Sequence, residues 1–253
     1  MGRYFVDLSY GMEKLTGTTQ KHVLGTRGVL PDGRVFRYAF LSSAAAVLAG
    51  KLIQSRVIVT GHGKDLAVKT AAAVGAESVT ITMATTATLV DEYAGGYIQG
   101  NDQTGAIGNL YRIKEVGPVA GNAHLAGGAT ADIVYNLAEP LVKALTTTSQ
   151  VGLVHNLYKD VIVQPTSVTG ITLGVTPADI ALSAYFLMQT WGPASVLLNG
   201  TPTIQKQVIW GATTAGSLDI KVETDIAPQV GIVMGGSTLV STEYGLVFLT
   251  IAP

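Results

Sequence analysis

Residues 29–40 read VLPDGRVFRYAF. Pro31 pre-sets φ for the first turn position, Asp32 favours the second, and Gly33 accepts a positive φ. Behind the turn the side chains alternate. Arg34, Phe36 and Tyr38 point one way, and Val35, Arg37 and Ala39 the other. A turn followed by period-two alternation is a β-hairpin, and the same signature runs outward along the chain. Residues 56–60 (RVIVT), 78–83 (SVTITM), 160–164 (DVIVQ), 171–175 (ITLGV), 218–223 (LDIKVE), 229–234 (QVGIVM) and 244–251 (YGLVFLTI) read as strands, and 95–113 as two strands around a Gly/Asn/Asp loop. Turn signals recur roughly every ten residues, the spacing of sandwiches and barrels. The expected fold is mainly β, with sandwich- or barrel-like domains, extended arms and little helix.

Helix signals are few. LSSAAAVLAGKL (41–52) is the best candidate, with Ser42 or Ser43 as cap and Gly50 near its end. IVYNLAEPLVKAL (133–145) has helical spacing, but Pro140 inside a helix costs about 3 kcal/mol. It therefore reads as extended segments bent at Glu139–Pro140. DIALSAYFLMQTW (179–191), bounded by Pro177 and Gly192–Pro193, fits either strand or helix. A Gly/Ala-rich stretch, GPVAGNAHLAGGAT (117–130), marks a break between an N-terminal arm and β region, 1–118, and a C-terminal β region, 119–253, unless the chain is one domain.

The interleaved arginines and aromatics of 34–38 also resemble strands that read single-stranded nucleic acid. Composition argues against that role. The chain of 253 residues has 16 Lys+Arg against 17 Asp+Glu, a net charge of −1, with no basic block. Charged residues are 13% of the chain, about half the usual ~25%, while hydrophobic residues are 47%. No uninterrupted apolar run of ~18 residues points to a membrane span. A surface with so few charges is best explained by burial against other subunits, because interface cores are depleted in charge. Cysteine is absent, which removes disulfides, thiol nucleophiles and thiolate metal sites. The start, MGRYFVDLSYG, lacks a secretory pattern, and Val6 stands where a myristoylation signal wants Ser or Thr. Synthesis in the cytoplasm is expected.

Motifs for chemistry are weak. GHGKD (61–65) lacks the upstream glycine and the following hydroxyl of a phosphate loop, and reads as a hairpin turn. His22, His62, His124 and His155 are far apart, Asp102 begins no calcium loop, and no nucleophile elbow is present. Glu223 and Asp225 alternate onto one face and read as a solvated strand face rather than a glycosidase pair. No catalytic, cofactor-binding or metal-ligating residue is nominated. The candidate protein-contact residues are Arg34, Phe36, Arg37 and Tyr38 on the hairpin, together with Trp191 and Trp210, each followed by glycine. Arg34 and Arg37 would pair with carboxylates on a neighbour or cover Phe36 and Tyr38.

Several stretches occur in an order that resembles a group of tailed-bacteriophage virion proteins. They are GTRGVLPDGRVFRYAFLSSAAAVLAGKL (25–52), AAAVGAESVTIT (71–82), DEYAGGYIQGND (91–102), YRIKE (111–115), LAEPLVKALTTTSQV (137–151), FLMQTWGPASVL (186–197), DIAPQVGIVMGG (225–236) and TEYGLVFLTI (242–251). The C-terminal part looks like the closing strands of small β-rich capsid decoration, or cement, proteins. The resemblance implies a non-enzymatic capsid decoration protein on the virion exterior. Its partners would be the major capsid protein and itself, as a homotrimer, with no cofactor, nucleic acid, membrane or small-molecule substrate. The chain is longer than the smallest decoration proteins, which implies a further domain or arm. Two rival expectations are a tail, neck or baseplate component and a virion-associated hydrolase.

Overall fold

A computed structural model describes residues 5–84, 86–101, 108–114, 130–235 and 243–253. In chain order the strands are β1 (Phe5–Asp7), β2 (Arg27–Val29), β3 (Val35–Phe40), β4 (Leu52–Gln54), β5 (Leu66–Val68), β6 (Ser78–Thr82), β7 (Tyr97–Gly100), β8 (Leu110–Arg112) and β9 (Asp132–Asn136). They continue with β10 (Gln150–Val154), β11 (Ile162–Val163), β12 (Thr172–Val175), β13 (Tyr185–Leu198), β14 (Gln207–Trp210), β15 (Leu218–Ile220), β16 (Gly231–Val233) and β17 (Glu243–Thr250). The only helical element among the described residues is a 3₁₀ turn, Met12–Lys14. The mainly-β expectation holds.

The expected break at 118/119 lies outside the described residues. The chain divides elsewhere, into one compact unit of residues 1–56 and 157–253 and a second of residues 57–156 inserted within it.

In the first unit β13 is the organising strand. Its first half pairs with β3, from Tyr185↔Phe40 to Gln189↔Phe36. Its second half pairs with β17, from Trp191↔Thr250 to Leu198↔Glu243. The order β13–β15–β14–β16–β17, with β17 returning to β13, closes a five-stranded barrel. Val196, Leu198, Val208, Leu218, Val233, Val247 and Leu249 fill it. The register against β3 shifts between Gln189 and Trp191. Such a bulge bends the strand and raises its twist, so one strand serves two sheet regions. The Gln189 side-chain amide donates to the carbonyls of Trp191 (3.2 Å) and Pro193 (2.8 Å), and satisfies acceptors freed by the bend.

Gly192–Pro193 bounds an element by sequence, yet β13 runs through it. The Leu197 N–H points away from β17, donating to the Gly50 carbonyl at 3.0 Å. Strand alternation puts position 193 on that same side, so proline removes no ladder bond there.

Segment 41–52 forms no helix. Leu41 and Val47 make isolated bridges to Val161 and Ile180 and are buried. The helix preference of alanine is below about 0.7 kcal/mol per residue, less than the gain from burying Leu41, Val47 and Leu52 in the sheet. Residues 56–60 form no strand either; Val57 and Ile58 are exposed, and the strand lies earlier, at β4. Beyond β9 the chain forms no helix; it bends at 138–139 and 142–143 and makes an isolated bridge at Leu145, with Leu141 and Leu145 buried.

In the second unit the sheet order is β8–β7–β10–β5–β6–β9. It curls until its edge strands meet at the bridge Ile113↔Leu137. Side chains from all six strands build one core, including Leu66, Ile81, Ile98, Tyr111, Tyr135 and Val151.

Candidate interaction surface

The hairpin turn forms as the sequence requires. The Gly33 N–H donates to the Leu30 carbonyl at 2.9 Å, and Gly33 adopts φ 84°. Asp32 accepts from the Arg34 N–H at 3.1 Å and from Arg34 Nε at 2.8 Å. Burial works to raise the Asp32 carboxyl, but these two bonds and the Arg34 charge together hold it below its usual value. Arg34 Nη2 also lies 3.9 Å from Glu13, and its guanidinium sits 5.9 Å from the Phe36 ring centroid. Arg34 thus has carboxylate partners within its own unit and covers Phe36.

Both faces of β3 are covered. Val35, Phe36, Tyr38 and Ala39 are buried, and Phe36 is 0% exposed against Leu8 and Leu30. Alternation here separates two interior faces rather than inside from outside. Phe36 has no surface to offer a partner. Arg37 Nη1 donates to the Gly25 carbonyl at 3.2 Å. Tyr38 stacks on Tyr185 (5.7 Å between centroids), Tyr185 meets Phe40 at 4.6 Å, and His22 meets Tyr38 edge-on at 5.3 Å. Burial raises the Tyr38 and Tyr185 phenols, with the Lys21 N–H acting the other way on Tyr38, so both stay neutral.

Trp191 lies beside Val35 and so adjoins the hairpin. Its ring packs edge-on against Phe248 at 5.5 Å. Trp210 lies elsewhere; it shares the face of Val208 and packs against the barrel core.

Sequence reading missed the outer face of the barrel. Val247 and Leu249 point inward, so alternation turns Tyr244, Leu246 and Phe248 outward. Beside them lie Trp191, Pro193 and Ser195 of β13, and Ile232 of β16 followed by Met234, whose N–H donates to the Leu246 carbonyl. Tyr244 is 45% exposed and Leu246 44%. Over their full length β13, β16 and β17 carry one charged residue, Glu243. Glu13, Lys14, Arg34 and Asp179 line a hollow together with Pro193, Ser195 and Tyr244. An apolar centre with a charged rim is the anatomy of a protein interface. The signal available in sequence was YGLVFLTI itself, whose outward positions are as apolar as its inward ones.

The second unit holds a buried polar cluster. His62 is 0% exposed; its Nε2 lies 3.0 Å from the Thr86 carbonyl and its Nδ1 2.6 Å from the Tyr93 hydroxyl. A carbonyl only accepts, so Nε2 carries a proton toward Thr86, and Nδ1 pairs with the Tyr93 hydroxyl. His155 stacks on Tyr93 at 4.3 Å and lies 3.5 Å from Glu92. Glu92 Oε2 accepts from the Leu89 N–H. The arrangement ties three loop segments together. Tyr93→Phe should therefore cost about 1–3 kcal/mol in chemical denaturation, because His62 Nδ1 loses its hydrogen-bond partner in a dry site. Among the described residues no group of three or more His, Asp and Glu is placed to hold a metal ion, and no helix is long and apolar enough to cross a membrane.

Comparison with known proteins adds no relative: no family model, no curated protein and no solved structure matches this chain.

Proposed function

We propose that this chain is a structural protein of a tailed-bacteriophage particle that decorates the capsid exterior and clamps neighbouring capsomers, working as a homotrimer. The observation that carries the assembly role is the outer barrel face, an exposed apolar surface crossed by three strands with one charge among them. A 13% charged fraction supports the same reading, as do exposed apolar residues on the inserted unit, among them Ile58, Val74, Leu89 and Val142. The collinear sequence resemblance supplies the kind of particle. The role is mechanical. Contacts made only in the mature lattice stabilise that lattice, and attachment at many points makes detachment slow. An interface of ~1,600 Å² suffices for specific attachment when its centre is well packed.

The experiment is a cryo-EM map of the intact particle together with Leu246→Asp. A charge placed in the apolar face should reduce particle occupancy by ~30-fold or more, the effect of losing an interface hot spot. The far-UV spectrum should not change, because Leu246 points out of the barrel. Copies numbering in the hundreds on the outer head lattice are the expected result. A handful of copies at the tail or neck would replace this reading with the tail-component one. Turnover of a polysaccharide or peptidoglycan substrate, abolished by one substitution, would replace it with an enzymatic one.

A further inference from the structure

A groove opens in the first unit beside the aromatic stack of Tyr38 and Tyr185. Its walls are apolar, with Val6, Leu8, Met12, Leu15 and Leu187, and its volume is about 90 Å³. That is room for one large side chain, well below the ~300 Å³ at which small-molecule sites begin. Lys21, His22 and Arg27 also line it, and no carboxylate is among its described lining residues. Leu15, 61% exposed, stands at its mouth. The groove therefore suits an apolar knob flanked by acidic groups.

The same unit carries such a knob. Between β15 and β16 the chain reads VETDIAPQ (222–229). Ile226 is 102% exposed, the most exposed large apolar side chain among the described residues. Glu223 and Asp225 stand three and one positions before it. The loop is held in shape: the Val222 N–H donates to Asp225 Oδ2 at 2.8 Å, and Lys221 Nζ donates to the Ala227 carbonyl at 3.2 Å. A preorganised loop loses little entropy on docking. Ile226 does not line the groove of its own subunit, so the two features can meet only between molecules.

We infer that Ile226 of one copy inserts into the groove of the next, with Glu223 and Asp225 facing Lys21, His22 and Arg27. The contact joins two different surfaces and is therefore heterologous, the type that closes into a ring. It deepens the proposed function by assigning the self-contact, and it rests on the self-assembly part of that reading.

The absence of native cysteine makes the test clean. Ile226→Cys and Leu15→Cys proteins, purified separately and mixed under mild oxidation, should form a disulfide-linked heterodimer. They should do so faster than Ile226→Cys mixed with Val74→Cys, an exposed position on the other unit. The double variant Leu15→Cys/Ile226→Cys should give linked closed trimers. Ile226→Asp should weaken self-association about 30-fold or more by sedimentation, with an unchanged melting temperature. Lys21→Glu should weaken it and Glu223→Lys, added to Lys21→Glu, should restore it. Cross-linking no faster than the Val74 control overturns the inference, as does unaltered association of Ile226→Asp. A wild-type chain that is monomeric in solution yet bound to particles also overturns it, and leaves the decoration reading standing. Ring formation through Ile226 by a chain found on no virion would do the reverse.

Discussion

Gly152→Ala should unfold or severely destabilise the inserted unit, residues 57–156, while leaving the other unit folded. A Cβ on Gly152 would lie 2.8 Å from the Gly63 carbonyl carbon and closer still to its oxygen. Both are backbone atoms, so no rotamer change relieves the overlap. The turn bearing Gly63 is pinned where it is by the Leu153 N–H, which donates to the His62 carbonyl at 2.8 Å. To admit the methyl group, β10 must part from that turn and give up this bond, and the His62–Tyr93 contact beside it is disturbed. Overpacking in closed sites costs about 1–3 kcal/mol, and a rigid backbone neighbour belongs at or above the top of that range. This is a large share of a domain's ~5–15 kcal/mol. The measurement separates the units, because Trp191 and Trp210 both lie in the first. Tryptophan fluorescence should report an undisturbed transition, while far-UV circular dichroism loses the contribution of the second unit. A Gly152→Ala protein within about 0.5 kcal/mol of wild type would show that the 61–63 turn does not pack on β10.

Phe36→Ala should cost about 3–5 kcal/mol of the first unit's stability, the usual range for emptying a buried phenylalanine site. Phe36 is 0% exposed and packs with Leu8 and Leu30, with Val6 and Leu187 alongside. Arg34, which lies over its ring, would lose that support as well. The same substitution separates core from interface. Below its lowered melting temperature the variant should keep any attachment or self-association measured for the wild-type chain, because Phe36 is 0% exposed and reaches no partner. Phe36→Leu should recover most of the stability. A Phe36→Ala protein of unchanged stability but weakened attachment would instead place this ring in an intermolecular contact.

Much of the local structure was legible from side-chain alternation. SVTITM became β6, and YGLVFLTI became β17 almost residue for residue. Pro31, Asp32 and Gly33 formed the expected turn, because proline and glycine restrict or extend φ wherever they occur. Residues 133–145 form no helix, as the proline inside the segment led one to expect, and their first part is β9, paired with β6. The misreadings came where neighbours overrule local preference. Alanines of 41–52 favour helix weakly, and the burial of Leu41 and Val47 outweighs them. Pro193 looks like a terminator, but its missing N–H falls on the side of β13 that does not pair with β17.

The candidate contact residues divide on the same ground. Alternation correctly set Phe36 and Tyr38 on one side of β3, yet could not tell a solvated face from an interior one. Tyr244, Leu246 and Phe248 were overlooked because apolar outward positions read like core. Only the closure of β17 onto β13 fixes which side of that strand faces out.

By itself the sequence determined that this protein is built from short strands and tight turns, and that its surface is poor in charge. Those are properties of composition and of side-chain direction along a few residues, and they survive any arrangement of the strands. Tertiary structure alone decided that 57–156 is an insertion, that β13 serves two sheet regions, that the barrel closes between residues some fifty positions apart, and that the groove and Ile226 belong to the same unit. Such pairings are chosen by the total burial of a whole core, and no window of local residues contains that sum.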